Sequence, residues 1–153
     1  MLPELGARLG LERELSCGLR HLFSRRPLHD PGRLVIDLAA MLIDGGDCVS
    51  DLGVLAEQPD LFGLVASQST ASRLLHALGE QERAAIRDAR RVARERAWAL
   101  GARPARVTLD FDAQLLECHT EKDGAGPHRK GGFGFHPLHC FLEVLAPQMT
   151  IVA

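Results

Sequence analysis

Leu2, Leu5, Leu9, Leu11, Leu15, Leu19 and Leu22 recur at close to three- and four-residue steps, the spacing of one helix face. Gly6, Gly10 and Gly18 weaken that helix. His29-Asp30-Pro31-Gly32 reads as a helix start. Asp30 can accept from the free amides, and Pro31 suits a first turn where its missing N–H costs nothing. The pattern then predicts a helix to about Ile43, stopped at Asp44-Gly45-Gly46-Asp47, and a shorter one near 48–57 running up to Pro59. Asp60-Leu61-Phe62-Gly63 reads as a turn, and Ser69 or Thr70 as the cap of a short helix carrying Leu74, Leu75 and Leu78. Gly79-Glu80-Gln81 opens a long helix to about Leu100, closed by Gly101 and Pro104.

Within the long helix, Ile86, Ala89, Ala93, Ala97 and Leu100 share one stripe, which is expected to be buried. Arg83, Arg87, Arg90 and Arg94 repeat by the same rule on a face about a quarter turn away. They form either a solvated face paired to nearby acids or a ridge that contacts phosphates, whose affinity would fall steeply with salt. The turn before 69–78 leaves room for a helix-turn-helix, and a plain helical bundle fits the same pattern.

Past Pro104 the period changes. In Arg106-Val107-Thr108-Leu109-Asp110-Phe111-Asp112 apolar and polar residues alternate, as in a strand. A second strand-like stretch spans about 114–119, a polar loop with five glycines fills 120–134, and 136–145 reads as a third strand. The boundary between the helical and strand-rich parts falls near 101–105.

Composition adds limits. The 153 residues are 46% hydrophobic and 25% charged, as in a folded globular protein, with a formal net charge of -2. That charge argues against indiscriminate nucleic-acid binding by the whole chain but leaves local patches open. Only Lys122 and Lys130 among the cations are not Arg. Arg suits bidentate phosphate contacts, although GC-rich codon usage also favours it. Asp37, Asp44 and Asp47 interrupt the best apolar stretch, so no membrane span is expected. The N-terminus lacks the pattern of a secretory signal. Cys17, Cys48, Cys118 and Cys140 show no CxxC spacing and are expected to be reduced thiols in a cytoplasmic protein.

The candidate chemistry lies after 104. Thr108, Asp110 and Asp112 share one strand face, the two carboxylates roughly 6.6–6.8 Å apart along the backbone, and could offer oxygen ligands to a hard divalent cation. Thr120 to His139 places Lys122, His128, Arg129 and Lys130 among glycines that let a ligand approach the backbone, though nothing matches a P-loop. Such a loop could hold a phosphodiester beside the carboxylate strand, or it could be a solvated hairpin tip. Cys118, His119, His136, His139 and Cys140 suggest zinc, but their spacings are not those of a finger, and adjacent strand residues face opposite ways.

L-D-F-D-A-Q, followed by H-T-E-K-D-G-A-G-P-H-R-K-G-G-F-G-F-H-P-L, resembles the start of the catalytic domain in the group-one DDE transposases of bacterial insertion sequences. The upstream runs H-D-P-G-R, L-I-D-G-G-D-C-V-S-D-L and Q-P-D-L-F-G-L-V-A-S resemble that family's N-terminal region, so the likeness covers roughly 15–143. It implies a ribonuclease H-like fold in which three acids hold two divalent metals, Mg2+ or Mn2+, that cut and join DNA. Asp112 matches the first catalytic aspartate, and Asp110 is a supporting ligand. Gln114 replaces the family's usual Thr, which puts local hydrogen bonding in doubt.

The family's second aspartate and its glutamate find no match here, so the resemblance implies a chain truncated after its first catalytic acid, inactive and weakly metal-binding. The expected architecture is α+β: an all-α region, 1–103, that binds DNA, joined to 104–153, the first strands of an incomplete ribonuclease H-like α/β domain. Expected DNA contacts are Arg83, Arg87, Arg90, Arg94, Lys122, Arg129 and Lys130. The expected partners are transposon terminal repeats and, by self-association or otherwise, intact transposase. The alternatives are a DNA-binding remnant that competes with intact transposase, a small zinc module, or a chain whose half sheet leaves it poorly folded.

Overall fold

Gly10 splits the first leucine-rich stretch. Its left-handed backbone (φ 70°) separates α1 (Leu2–Arg8) from α2 (Leu11–Leu19), where a single helix would put the leucines on one continuous face. The computed structural model describes residues 2–23 and 28–144. Asp30 caps α3 (Pro31–Ile43) as its sequence predicts, accepting from the Arg33 amide at 2.9 Å. Gly45, at φ 96°, follows its last turn. A 3-10 turn at Val49–Asp51 leads into α4 (Leu52–Ala56). The expected turn after Gln58 is instead a single helical turn, α5 (Pro59–Phe62), ended by Gly63. The next helix, α6 (Gln68–Ala77), is capped by Ser67 and not by Ser69 or Thr70, because the Ser67 hydroxyl accepts from the Thr70 amide at 3.4 Å. The long helix α7 (Glu80–Ala97) stops short of Leu100. It passes into a wide π-type turn, Trp98–Ala102, that Gly101 closes at φ 103°.

Two apolar clusters hold this helical unit. Leu34, Ala40, Met41, Leu52, Leu55, Ala66, Ala71 and Leu74 form the larger one, between α3, α4 and α6. Leu15, Ile36 and Ala89 form the smaller, where α2, α3 and α7 meet. Small residues set how closely these helices approach. A side chain at position 32 would run into Ser16, and one at 18 would come within 2.9 Å of the Ala85 Cβ. Gly18 therefore costs α2 propensity but permits its contact with α7. The α7 stripe is buried at Ala89 and Ala93, but Leu100 is 78% exposed because the wide turn swings it off the helix face.

Charged residues also tie the unit together. Asp37 is buried, and its carboxylate accepts from Arg33 Nε at 2.8 Å, while Arg33 Nη2 donates to the Phe62 carbonyl at 2.7 Å. Burial pushes the Asp37 carboxyl above its usual range, against the opposing pull of Arg33. Arg96 donates to the Leu9 carbonyl at 3.0 Å and to Glu14 at 2.7 Å, tying the α1–α2 elbow to α7. Glu82 accepts from the Gly79 amide and from His21 Nε2, each at 2.8 Å, with the His21 ring as the donor for a carboxylate.

The chain divides into two units, Met1–Ala102 and Arg103–Ala153. The second is built from β1 (Val107–Ala113) and β5 (Leu138–Val144), paired antiparallel along their whole lengths, with a small sheet in the segment between them. There β4 (Phe133–Phe135) lies between β2 (Leu116–Glu117) and β3 (Gly126–Pro127). The second stretch is thus much shorter than 114–119, and the polar loop contains two strands of its own. The fold is α+β, helical first and antiparallel-stranded after. Among the described residues no helix is long and apolar enough to cross a membrane.

Two predictions follow from the buried charges. Arg33→Ala leaves the Asp37 carboxylate buried without its partner and should cost about 3–5 kcal/mol in denaturant unfolding at neutral pH. Because burial raises the folded-state pKa of Asp37, that cost should shrink as pH falls and the carboxyl takes up a proton. A loss that does not change with pH would rule out the orphaned charge as its source.

Glu82 behaves oppositely. The His21 hydrogen bond, followed by contacts at the helix start, holds its carboxyl below the ordinary value of 4.5. Its stabilising contribution is therefore present above that value and is lost as pH falls through the lowered one. The melting temperatures of wild type and His21→Ala should differ at neutral pH and converge in acid. A gap that widens in acid would contradict this account.

Candidate metal and nucleic-acid site

The alternation in β1 puts Thr108, Asp110 and Asp112 on one face of the ribbon and Val107, Leu109 and Phe111 on the other. Pairing with β5 sets what lies beside them. Asp112 is opposite His139 and Asp110 opposite Phe141, and residues directly opposite share a face, with Cβ atoms about 4.5–5.5 Å apart. The His139 ring stacks on Phe141, centroids 5.8 Å apart, and its Nε2 is buried without a hydrogen-bond partner.

The two carboxylates differ in surroundings. Asp112 lines a cleft of about 740 Å3, walled also by Gln114, Gly126, Pro127, His128, Arg129, Lys130, Phe135 and His136. Asp110, one step back along the strand, does not line it. Arg129 and Lys130 come from the glycine-rich segment, folded into a tight turn by Gly131 N–H donating to the His128 carbonyl at 3.0 Å. Lys122 is exposed in a separate turn, where the Ala125 amide donates to its carbonyl, and does not line the cleft.

A divalent cation with oxygen preference finds in Asp112 one suitable anionic ligand. Among the described residues no second carboxylate lines that cleft. The single group of three possible ligands among the described residues is Asp47, Cys48 and Asp51, in the helical unit. There Asp51 accepts from the Asp47 and Cys48 amides at 3.0 and 3.1 Å, so its carboxylate already caps the 3-10 turn and lies below the usual range. Cys118, His119, His136, His139 and Cys140 do not bring three ligand atoms together.

The arginine ridge of α7 is largely committed. Glu80 accepts from Arg83 at 3.3 Å and from Arg87 at 2.6 Å, and these bonds hold its carboxyl below the usual range. Arg94 lies 5.7 Å from the Trp98 ring centroid. Arg90 is exposed. On α6, Ala71 and Leu74 point inward, while Gln68, Ser69, Arg73 and His76 face outward.

Sequence reasoning named Asp112, Arg129 and Lys130 but passed over Gln114, Pro127 and Phe135 as walls of one cleft. The signal was present in R-K-G-G-F-G-F, a turn followed by an alternating run.

No curated protein and no solved structure matches the chain. The family model for transposase DDE domain group 1 matches residues 1–150. That family acts in DNA transposition and generally uses divalent metal. With nearly its whole length matched, this chain belongs to the DDE transposases of group 1.

Proposed function

We propose that residues 104–153 form the opening strands of a ribonuclease H-like domain, whose β1 offers Asp112 to Mg2+ or Mn2+ and whose Arg129–Lys130 turn grips the phosphodiester backbone of DNA. The observation that carries this reading is that Asp112 and that turn wall the same cleft. When bound, the metal would supply the polarisation of a phosphodiester. What the chain's own residues do is hold one oxygen ligand at the strand end and set two cations within reach of the same ligand. Asp110, on the same strand face but outside the cleft lining, would be at most a supporting ligand. Residues 1–103 bind the transposon's terminal repeats, with Arg90 the best placed of the four ridge arginines because Arg83 and Arg87 share Glu80.

Two-metal chemistry needs several acids around the ions, and the described residues bring only Asp112 to the cleft. We therefore propose that this chain by itself binds DNA and metal weakly and does not cut. It would then compete with, or join, intact transposase at the element ends. A zinc module is the weaker reading, since no three of its five candidate ligands come together.

Binding of labelled duplex DNA, followed by fluorescence anisotropy over a range of salt, tests the grip. Replacing Arg129 and Lys130 together by Gln should weaken binding to all sequences and make the log–log salt slope shallower by about 1.8, from about 0.9 per phosphate contact. An unchanged slope would remove the turn from the interface. Incubation with element-end DNA and Mg2+ or Mn2+ should yield no nicks. Specific nicking that disappears in Asp112→Ala would show that the chain is catalytically competent after all.

A further inference from the structure

We infer that His128 is a positioning residue, a buried latch whose Nδ1 holds the Arg129–Lys130 turn in the shape that presents both cations to the cleft. The inference rests on the reading of that turn as a phosphodiester grip.

Arg129 and Lys130 are the two central residues of the turn His128–Gly131, and both are exposed. The His128 amide donates to the Gly132 carbonyl at 2.9 Å, which closes the base of the turn. The side chain of His128 is only 8% exposed, unusual for a residue at the end of a polar, glycine-rich tip. From beneath, its Nδ1 accepts from the Lys130 amide at 3.3 Å. This is the bond from residue i to the amide of i+2 that Asn or Asp side chains make in an Asx turn.

Accepting at Nδ1 assigns the proton of the neutral ring to Nε2. That atom has no hydrogen-bond partner within reach and lies 3.6 Å from the Glu117 carboxylate on β2. A negative group is therefore on the side where the ring carries its N–H. Gly132 supplies the space. A Cβ there would stand 2.7 Å from Cε1 of the ring, closer still to Nε2, and 3.2 Å from the Glu117 carboxylate. The second glycine of R-K-G-G is thus explained by the buried imidazole, with no need for a ligand to approach at that point. The role of His128 and Gly132 is to set the geometry of Arg129 and Lys130.

The test compares His128→Asn, His128→Gln and His128→Ala with wild type, each checked for folding by circular dichroism. Asn places an acceptor where Nδ1 stands, whereas Gln places one where Nε2 stands and Ala places none. Anisotropy with labelled duplex DNA should show Asn within about twofold of wild type, and Gln and Ala weaker by a few-fold, about ten at most, the worth of one lost hydrogen bond. Hydrogen exchange at the Lys130 amide should be slow in wild type and Asn, and fast in Gln and Ala. Nitrogen spectra of labelled histidine should report a bare Nδ1 and a protonated Nε2.

Equal DNA affinity and equal Lys130 exchange across all four proteins would overturn the latch, as would a protonated Nδ1 in the neutral ring. If wild type binds no DNA, the reading of the turn as a phosphodiester grip fails. Exchange at Lys130 and the ring tautomer then still decide whether His128 holds the turn.

Discussion

The register between β1 and β5 is the constraint from which the second unit follows. Seven consecutive pairs, Val107 with Val144 through Ala113 with Leu138, fix the ends of the intervening segment against each other. A slip of one residue would turn Asp112 to the opposite face and carry Leu109 and Phe111 to the face where Asp112 now stands. Because Ala113 and Leu138 are paired, the chain from Gln114 to Pro137 must return on itself within a short span. Gln114 N–H donating to the Pro137 carbonyl at 3.1 Å begins that return. The small sheet β2–β4–β3 then takes up the slack, and the turn after β3 is delivered to the end of β1. Proximity of carboxylate and cations is a product of this closure, and no residue of the turn has to bond to Asp112 for it to hold.

Arginine is abundant in the chain, but abundance is a poor guide to surface potential here. Arg33 and Arg96 are internal ties, bonding to carbonyls and acids that sequence places far from them. Arg83, Arg87 and Arg91 meet acids one or two turns away on the same helix. Exposed pairs of this kind contribute little to stability and can exchange partners. They do, however, reduce the charge available to a phosphate. Among the described residues, Arg90 and the two cations at the tip of the glycine-rich turn are exposed and in no ion pair, as are Arg73 and Lys122. A net charge of -2 is therefore compatible with a locally cationic turn.

What could be read from sequence follows from how local the determining physics is. The start of α3 was legible because Asp30 and Pro31 act within their own turn. The β1 alternation was legible for the same reason. The break at Gly10 was not, since glycine in a helix costs only about 1 kcal/mol and leucine spacing continues across it. At that break Arg96 reaches from α7 to bond the carbonyl of Leu9, a tertiary contact that local sequence does not announce. Arg33 and Asp37 look like an ordinary surface pair four residues apart, and nothing nearby announces that the fold buries the acid. The strands β3 and β4 were missed because they are two and three residues long. Such strands exist through pairing partners, not through propensity. At the site, the chemistry-bearing residues were visible as types, whereas the cleft that separates Asp112 from Asp110 needed the fold.

The same alternation that gathers the chemistry also divides the ribbon's labour. One face carries Asp110, Asp112, His139 and Phe141, and the other carries Val107, Leu109, Phe111 and Leu138, all at least 44% exposed. A two-stranded ribbon is marginal in water without packing on one side, so its stability is tied to whatever covers the apolar face. In the proposed function its ligands approach from the opposite one. Covering the apolar face would therefore firm the register without obstructing the cleft, and through the register it would hold Asp112 to the cationic turn. Order at the site and burial of the far face are thus two readings of one energetic quantity, the free energy of keeping β1 and β5 paired.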